Sequence, residues 1–196
     1  MLYSSLQLRE MYSDYSQPQA KIARGVSDGS LTRITRDVYS DAGQEENRYA
    51  IANRIIRPSY VSFWFALAHY GLIPERVYEV TSATTGIRKR KQFQSSLGVF
   101  SYQDIPQAAF PYGIITKEDG TQIASKEKAF CDTLYLLPPV RSLKALKALL
   151  FEDLRIDEAE LRAMDREDLR FLLPLYGSTN SRWMIRLLED KEWKIG

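Results

Sequence analysis

The stretch from Ser16 to Gly29, SQPQAKIARGVSDG, constrains the fold more tightly than any other part of the chain. Proline is excluded from a helix interior but fits the first turn, and glycine readily takes the left-handed conformation that ends a helix. Pro18 and Gly29 therefore bracket one short helix that reaches to about Ser27. Ser16 and Gln19 have the spacing of a capping box, in which each side chain satisfies a backbone amide of the first turn. Gly25 weakens this helix by up to about 1 kcal/mol relative to alanine. At about 100° per residue, Gln19, Ile22, Ala23 and Val26 share one face, and Gln17, Ala20, Lys21, Arg24 and Asp28 share the other. The first face is small enough to pack closely. The second is polar and cationic.

The flanking segments extend the pattern. Leu8, Met11, Tyr12 and Tyr15 form a helical stripe, which predicts a short amphipathic helix from about Ser5. After Gly29, Leu31–Ile34 and Val38–Ser40 are β-prone and flank Thr35-Arg36-Asp37. Asp37 is expected to take the left-handed turn position, with Arg33 and Arg36 near the hairpin tip. Helix, turn, helix and hairpin in this order predict a winged helix-turn-helix. Its second helix would enter the major groove of duplex DNA, with the hairpin on the adjacent backbone. Gln17 and Gln19 stand at the helix end where bases are usually read, and only Gln17 faces outward. Lys21 and Arg24 can reach phosphates or guanine edges. Arg33 and Arg36 suit phosphates or the minor groove.

The remainder reads as strands followed by helices. A helix is predicted from about Gln44 to Arg57, ended by Pro58. Only one helix precedes the recognition helix, so the helix at Glu45–Ile56 is expected to cover the open side of the helix pair. Tyr60 and Val61 look extended, and Ser62 can cap a helix through Tyr70, with Gly71 as its stop. Strands are expected at Val77–Thr81, Gly98–Tyr102 and Tyr112–Thr116, then a hairpin turn at Lys117–Gly120 into Thr121–Ala124. Helices follow at about 125–137, 142–151, 157–163, 165–173 and 180–190, with Asp157 and Asp165 as caps. The predicted fold class is α+β: a winged helix-turn-helix DNA-binding domain over 1–57, then a larger α+β domain over 58–196 with a helical C-terminal end.

Charge and scarce residues narrow the chemistry. The net charge is +2, but residues 17–36 carry a local +3 and residues 76–91 a local +4, while the tail from Arg141 is neutral. The run Arg88-Lys89-Arg90-Lys91 is a second candidate phosphate contact. One cysteine, Cys131, and one histidine, His69, leave no intrachain disulfide, no cysteine-based zinc site and no two-histidine metal motif. Glycine-rich nucleotide cradles of the P-loop and dinucleotide kinds are absent, and no cofactor or metal is expected. Glu189-Asp190-Lys191 matches a fragment of metal-dependent nucleases but lacks an upstream partner, so no enzyme is predicted. Cys131 reads as an inert core residue, and His69 as a helix-face residue. Ser125, Glu127 and Lys128 read as a cap and surface charges on a helix whose Ala129, Phe130, Leu134 and Leu137 are core. No apolar run reaches about 18 residues and the first residues show no secretory pattern, so the expectation is a cytoplasmic protein without a membrane span.

The segments SDGSLTRITRDVYS, SYVSFWFALAHYGLIPE, VYEVTSATTGIRKR and IASKEKAFCDTLYL, with the helix from Glu46 between the first two, occur in an order that resembles AbiEi-type antitoxins of type IV (abortive infection) toxin–antitoxin systems. The resemblance spans roughly Gly29 to Leu137. It departs from the family at Asp37, where the wing turn often holds glycine, and in the single helix before the recognition helix. The resemblance implies an N-terminal winged helix that represses its own operon by binding inverted repeats in promoter DNA, as a pair on two half-sites. It also implies a C-terminal domain that counters a nucleotidyltransferase-like toxin without a stable complex. The alternatives are direct binding of the toxin by the C-terminal helices, or a generic winged-helix transcriptional regulator.

Overall fold

In this computed structural model, residues 1–43, 47–190 and 193 are described. The fold is α+β. β1 (Leu2–Ser4) leads into α1 (Ser5–Met11) and α2 (Pro18–Ser27), and β2 (Leu31–Arg33) with β3 (Val38–Asp41) forms the predicted hairpin. β1 pairs antiparallel with β3, which makes a three-stranded sheet in the order β1-β3-β2. Three residues are too few to show alternation, so β1 is invisible in the sequence. α1 ends at Met11, short of the predicted stripe, and Met11 and Tyr15 are exposed.

Successive residues of a strand point to opposite faces, and here the two faces serve two cores. Tyr3, Leu31 and Tyr39 join Leu8 of α1 and Ile22 of α2 in a small cluster. Leu2 and Val38 point the other way and, with Ile34, join the main core that holds Ile51 and Ala52 of α3 (Arg48–Ile55). α3 therefore shares a core with the far face of this sheet instead of covering the helix pair. Residues 44–46, at the expected start of that helix, lie outside the described residues. Asn47 caps α3 by accepting from the Tyr49 amide.

The larger sheet contains β4 (Ser59–Val61), β5 (Val80–Thr84), β6 (Lys91–Ser95), β7 (Gly98–Asp104), β8 (Ile114–Thr116) and β9 (Gln122–Ala124), in the order β6-β7-β5-β4-β9-β8. β4 with β9 and β5 with β7 are parallel; the other pairs are antiparallel. β5 begins three residues later than predicted, and β6 is an edge strand that the mainly polar KQFQS did not reveal. α4 (Phe63–His69) and α5 (Lys126–Leu136) cover one face, where the Phe65 amide donates to Thr81 Oγ1 and Tyr60 and Ser62 meet α5. α3 covers the other, where Tyr102 donates to the Ala52 carbonyl at 2.6 Å. Behind α5 lie α6 (Leu143–Ala148), running into a π-helical turn at Leu149–Asp153, then α7 (Glu158–Arg162), α8 (Arg166–Leu175) and α9 (Thr179–Glu189). Asp157 and Asp165 cap α7 and α8 as expected, each accepting from two first-turn amides.

Lys128 corrects the surface reading: it is fully buried, and so is Asp132 one turn later. The Lys128 ammonium lies 3.2 Å from Asp132 Oδ1 and donates to the Ala109 carbonyl at 2.7 Å and to Tyr176 Oη at 2.6 Å. Asp132 also accepts from Tyr176 at 2.6 Å, Ser62 at 2.6 Å and Tyr60 at 3.0 Å. Ser62 thus spends its hydroxyl on Asp132 and makes no side-chain cap for α4. Burial pulls the Lys128 ammonium below its usual range against the attraction of Asp132. It pushes the Tyr60 and Tyr176 phenols far up, with the Asp132 charge adding to the shift. Lys128→Ala or Asp132→Ala strands the other charge without its partner, so each should lower the unfolding free energy by about 3–5 kcal/mol. Replacing the pair with two apolar residues of similar volume, Lys128→Met with Asp132→Leu, should lower it less than either single change. Urea denaturation of the three variants checks this ordering.

Candidate nucleic-acid interface

α2 starts at Pro18, with Gln17 as its N-cap, one residue later than a Ser16 cap requires. Gln17 makes no side-chain cap bond and is exposed. The chain's N-terminal capping box lies instead on α1, where Ser4 Oγ accepts from the Gln7 amide and Gln7 Oε1 from the Ser4 amide. Gln19 is exposed, but with its amide oriented to suit its neighbours its oxygen accepts from Arg9 at 2.6 and 2.8 Å. That bond ties α2 to α1 and occupies the acceptor a base would need.

The outer face carries Arg24 as predicted but holds Lys21 only in part, and the apolar face differs. The Arg24 side chain is exposed and makes no hydrogen bond or ion pair among the described residues, while Lys21 is half-buried with Nζ 5.3 Å from the Tyr15 ring centroid. The Asp28 carboxyl is held below its usual range by hydrogen bonds from Ser30, and further by the nearby Lys21 and Arg24 charges. Gly25, which the helical wheel left on neither face, is buried, and Ala23, expected on the inner face, is exposed. The cause is the hairpin: a Cβ on Gly25 would stand 3.0 Å from Leu31 Cδ1, so glycine lets β2 close onto α2. Its position inside the helix follows from that contact.

In the hairpin, Val38 O accepts from the amides of both Ile34 and Thr35. Arg33 donates through Nε to the Thr35 carbonyl at 3.2 Å and lies 6.0 Å from the Tyr39 ring. Arg36 is exposed at the tip. Asp37 does not take a left-handed conformation: Phe63 and Arg155 are the non-glycine residues with positive φ among those described. Its carbonyl accepts from the Ser5 amide at 3.1 Å and its carboxylate from Ser5 Oγ at 3.2 Å, so it anchors the wing to the start of α1. Arg54 and Arg57, not singled out in the sequence, line a cleft beside the wing with Asp37 and Val38, and Arg54 donates to Gln7 Oε1. Their three-residue spacing at the end of α3 is the signal that could have marked them.

The second cationic run sits apart from this unit. Arg88, Lys89, Arg90 and Lys91 are all exposed and lead into, or begin, edge strand β6. Arg90 is paired with Glu79 at 2.6 Å.

The candidates for catalysis are dispersed. His69 ends α4 and its Nδ1 lies 3.0 Å from the Tyr49 hydroxyl; burial, then the Lys117 charge, lowers its pKa. Glu189 ends α9, and Lys191 of the nuclease-like fragment lies outside the described residues. Among the described residues no cluster of three or more histidine, cysteine or acidic side chains is arranged to hold a metal ion. No protein-family model matches the chain, and no curated protein matches it significantly.

Cys131 is fully buried, and burial pushes its thiol well above the usual range, with the Asp132 charge next in effect. The unfolded thiol ionises above about pH 8.5, whereas the folded one keeps its proton, so its contribution to stability is lost as pH rises past that value. Lys128, lowered in the fold, has the opposite sign and is common to wild type and Cys131→Ala. The stability of wild type relative to Cys131→Ala should therefore fall by about 1.4 kcal/mol per pH unit above about pH 8.5, in denaturant titrations between pH 7 and 10.

Proposed function

We propose that this chain is a cytoplasmic DNA-binding autorepressor and antitoxin of the AbiEi type, with a winged helix-turn-helix at its N-terminus. One observation carries the DNA-binding reading. α2 presents Gln17, Lys21 and Arg24 beside a hairpin bearing Arg33 and Arg36, on a unit anchored to the main core through one face of its sheet. Gln17 reads a base edge at the N-terminal end of α2, and Lys21 and Arg24 hold phosphates or guanine. The wing cations take the neighbouring backbone, and Arg88–Lys91 makes a further phosphate contact. Two copies occupy the two halves of an inverted repeat. The DNA-binding function ends near residue 57, and the remaining domain counters a nucleotidyltransferase-like toxin without a stable complex. Among the described residues no helix is long and apolar enough to cross a membrane.

Fluorescence anisotropy with the duplex upstream of the gene tests the DNA reading. The double variant Lys21→Ala/Arg24→Ala should keep its fold by circular dichroism and lose its preference for that duplex over scrambled DNA. An unchanged preference in the folded variant refutes the assignment of α2. Converting Arg88–Lys91 to alanine should flatten the dependence of log K on log salt by about two to four units, because each phosphate neutralised on duplex DNA contributes about −0.9. It should weaken both duplexes alike, since phosphate contacts carry no sequence information. Gln17→Ala should change base preference and leave the slope in place. Co-expression with the cognate toxin tests the antitoxin reading: growth should recover without the two proteins co-purifying, and co-purification would favour direct binding.

A further inference from the structure

The half of the large sheet beyond α4 has a polar face. Register places Thr81 beside Ser101 and Ala83 beside Gln103, with Gln92 of β6 opposite Ser101, so all five residues face the same side. That is the side α4 covers farther along, over β5. Here it remains open as the floor of a cleft of about 440 Å³, walled by Trp64, Arg76, Tyr78, Glu79 and Arg90. The size suits a small-molecule site.

Its polar groups are arranged as a site would be. Ser101 is 1% exposed and its hydroxyl has no close hydrogen-bond partner among the described residues; it lies near enough to the Glu79 carboxylate to donate to it weakly, against the rise that burial imposes on that carboxyl. A buried hydroxyl left unpaired is unfavourable, and a ligand entering the cleft would relieve it. Glu79 receives Arg90 and Gln92 on the same oxygen, Oε1, which leaves Oε2 as an acceptor. Arg76 makes no ion pair among the described residues and holds its guanidinium 5.1 Å from the Tyr78 ring centroid. Trp64 supplies a flat apolar wall, and Arg88 and Lys89 precede Arg90 at the mouth.

We infer that this cleft binds a free nucleotide, with the base against Trp64, its hydrogen-bonding edge toward Ser101, Gln103 and Glu79 Oε2, and its phosphates on Arg76 and Arg90. A flat ring wall, unspent polar groups on the floor and cations at the rim match the three parts of such a ligand. The free acceptor on Glu79 favours a base that donates an exocyclic amine. The assignment is independent of DNA binding by α2 and uses part of the basic run for a different purpose.

The test is calorimetric titration of the full chain with ATP, GTP, CTP and UTP, alongside inorganic triphosphate and a short single-stranded oligonucleotide. At least one amine-bearing nucleotide should bind saturably at one site per chain, and CTP should bind more tightly than UTP. Arg76→Ala and Trp64→Leu should each weaken binding by about tenfold or more, and Ser101→Ala by a smaller factor. Thermal unfolding should show that each variant still folds, and anisotropy should show duplex DNA binding unchanged in Arg76→Ala. Should Trp64→Leu fail to fold, Trp64→Phe keeps a ring in place and should bind with a smaller loss. The inference is overturned if no nucleotide binds at millimolar concentration or if binding survives in both Arg76→Ala and Trp64→Leu. It is also overturned if triphosphate binds as tightly as every nucleotide, or if the oligonucleotide alone occupies the cleft. Equal binding of CTP and UTP overturns the role given to Glu79.

Discussion

A lysine and an aspartate lie 3.2 Å apart in the interior of this protein, and a charge on either would not be tolerable there alone. Lys128 and Asp132 satisfy each other only because four residues from three other parts of the chain come to them: Tyr60 and Ser62 at the end of β4, the Ala109 carbonyl, and Tyr176 at the end of α8. The backbone beside them is shaped for the purpose. Gly113 has φ +67°, and a Cβ there would stand 2.8 Å from Lys128 Cβ. Its carbonyl accepts from the Ser125 amide at 2.7 Å, next to the cap of α5. Apolar pairs of equal volume often serve stability as well, so breaking this pair costs more than replacing it whole.

That arrangement fixes the main core, and the main core in turn holds the small N-terminal unit. Four residues, Leu8, Ile22, Leu31 and Tyr39, make up the buried part of the small cluster. A cluster of that size is a weak basis for independent stability. The other face of the same sheet supplies the remainder through Val38, with Ile34 from the hairpin turn, in the core that contains Ile51 and Ala52 of α3. By packing, α3 belongs with the larger sheet, although the functional division is placed after it. The cations of α2 and the wing are thus held relative to α3 by packing, with Asp37 bonding to Ser5 at the start of α1 and Arg54 to Gln7 in its first turn.

The elements legible in the sequence are those with local causes. Pro18 and Gly29 mark α2, Asp157 and Asp165 mark two helix starts, and Gly120 with φ +77° closes the turn between β8 and β9. Elements that depend on distant residues were not legible. β1 exists because β3 pairs with it, and Gly25 faces inward because Leu31 packs there. Lys128 has the appearance of a surface lysine near a helix start; its partners Tyr176 and Tyr60 come from sequence separations of 48 from Lys128 and 72 from Asp132. The spacing of Lys128 and Asp132 was visible as a one-turn pair, but such pairs are usually solvent-exposed. Of the candidate site, the cations Lys21, Arg24, Arg33 and Arg36 were legible from composition and helical phase. The commitment of Gln19 to Arg9, and the arrangement of Arg76, Arg90 and Ser101 around Trp64, were not.

In the proposed function, α2 and the β2–β3 hairpin form the DNA-reading surface. Backbone hydrogen exchange of the full chain, free and bound to the duplex upstream of its gene, tests it most directly. Slowed exchange on DNA addition should concentrate in residues 17–28 and 31–41, with a weaker effect at 88–91 and none in the amides around Lys128 and Asp132. Slowed exchange confined to the large sheet or the C-terminal helices, with α2 and the hairpin unchanged, would contradict it.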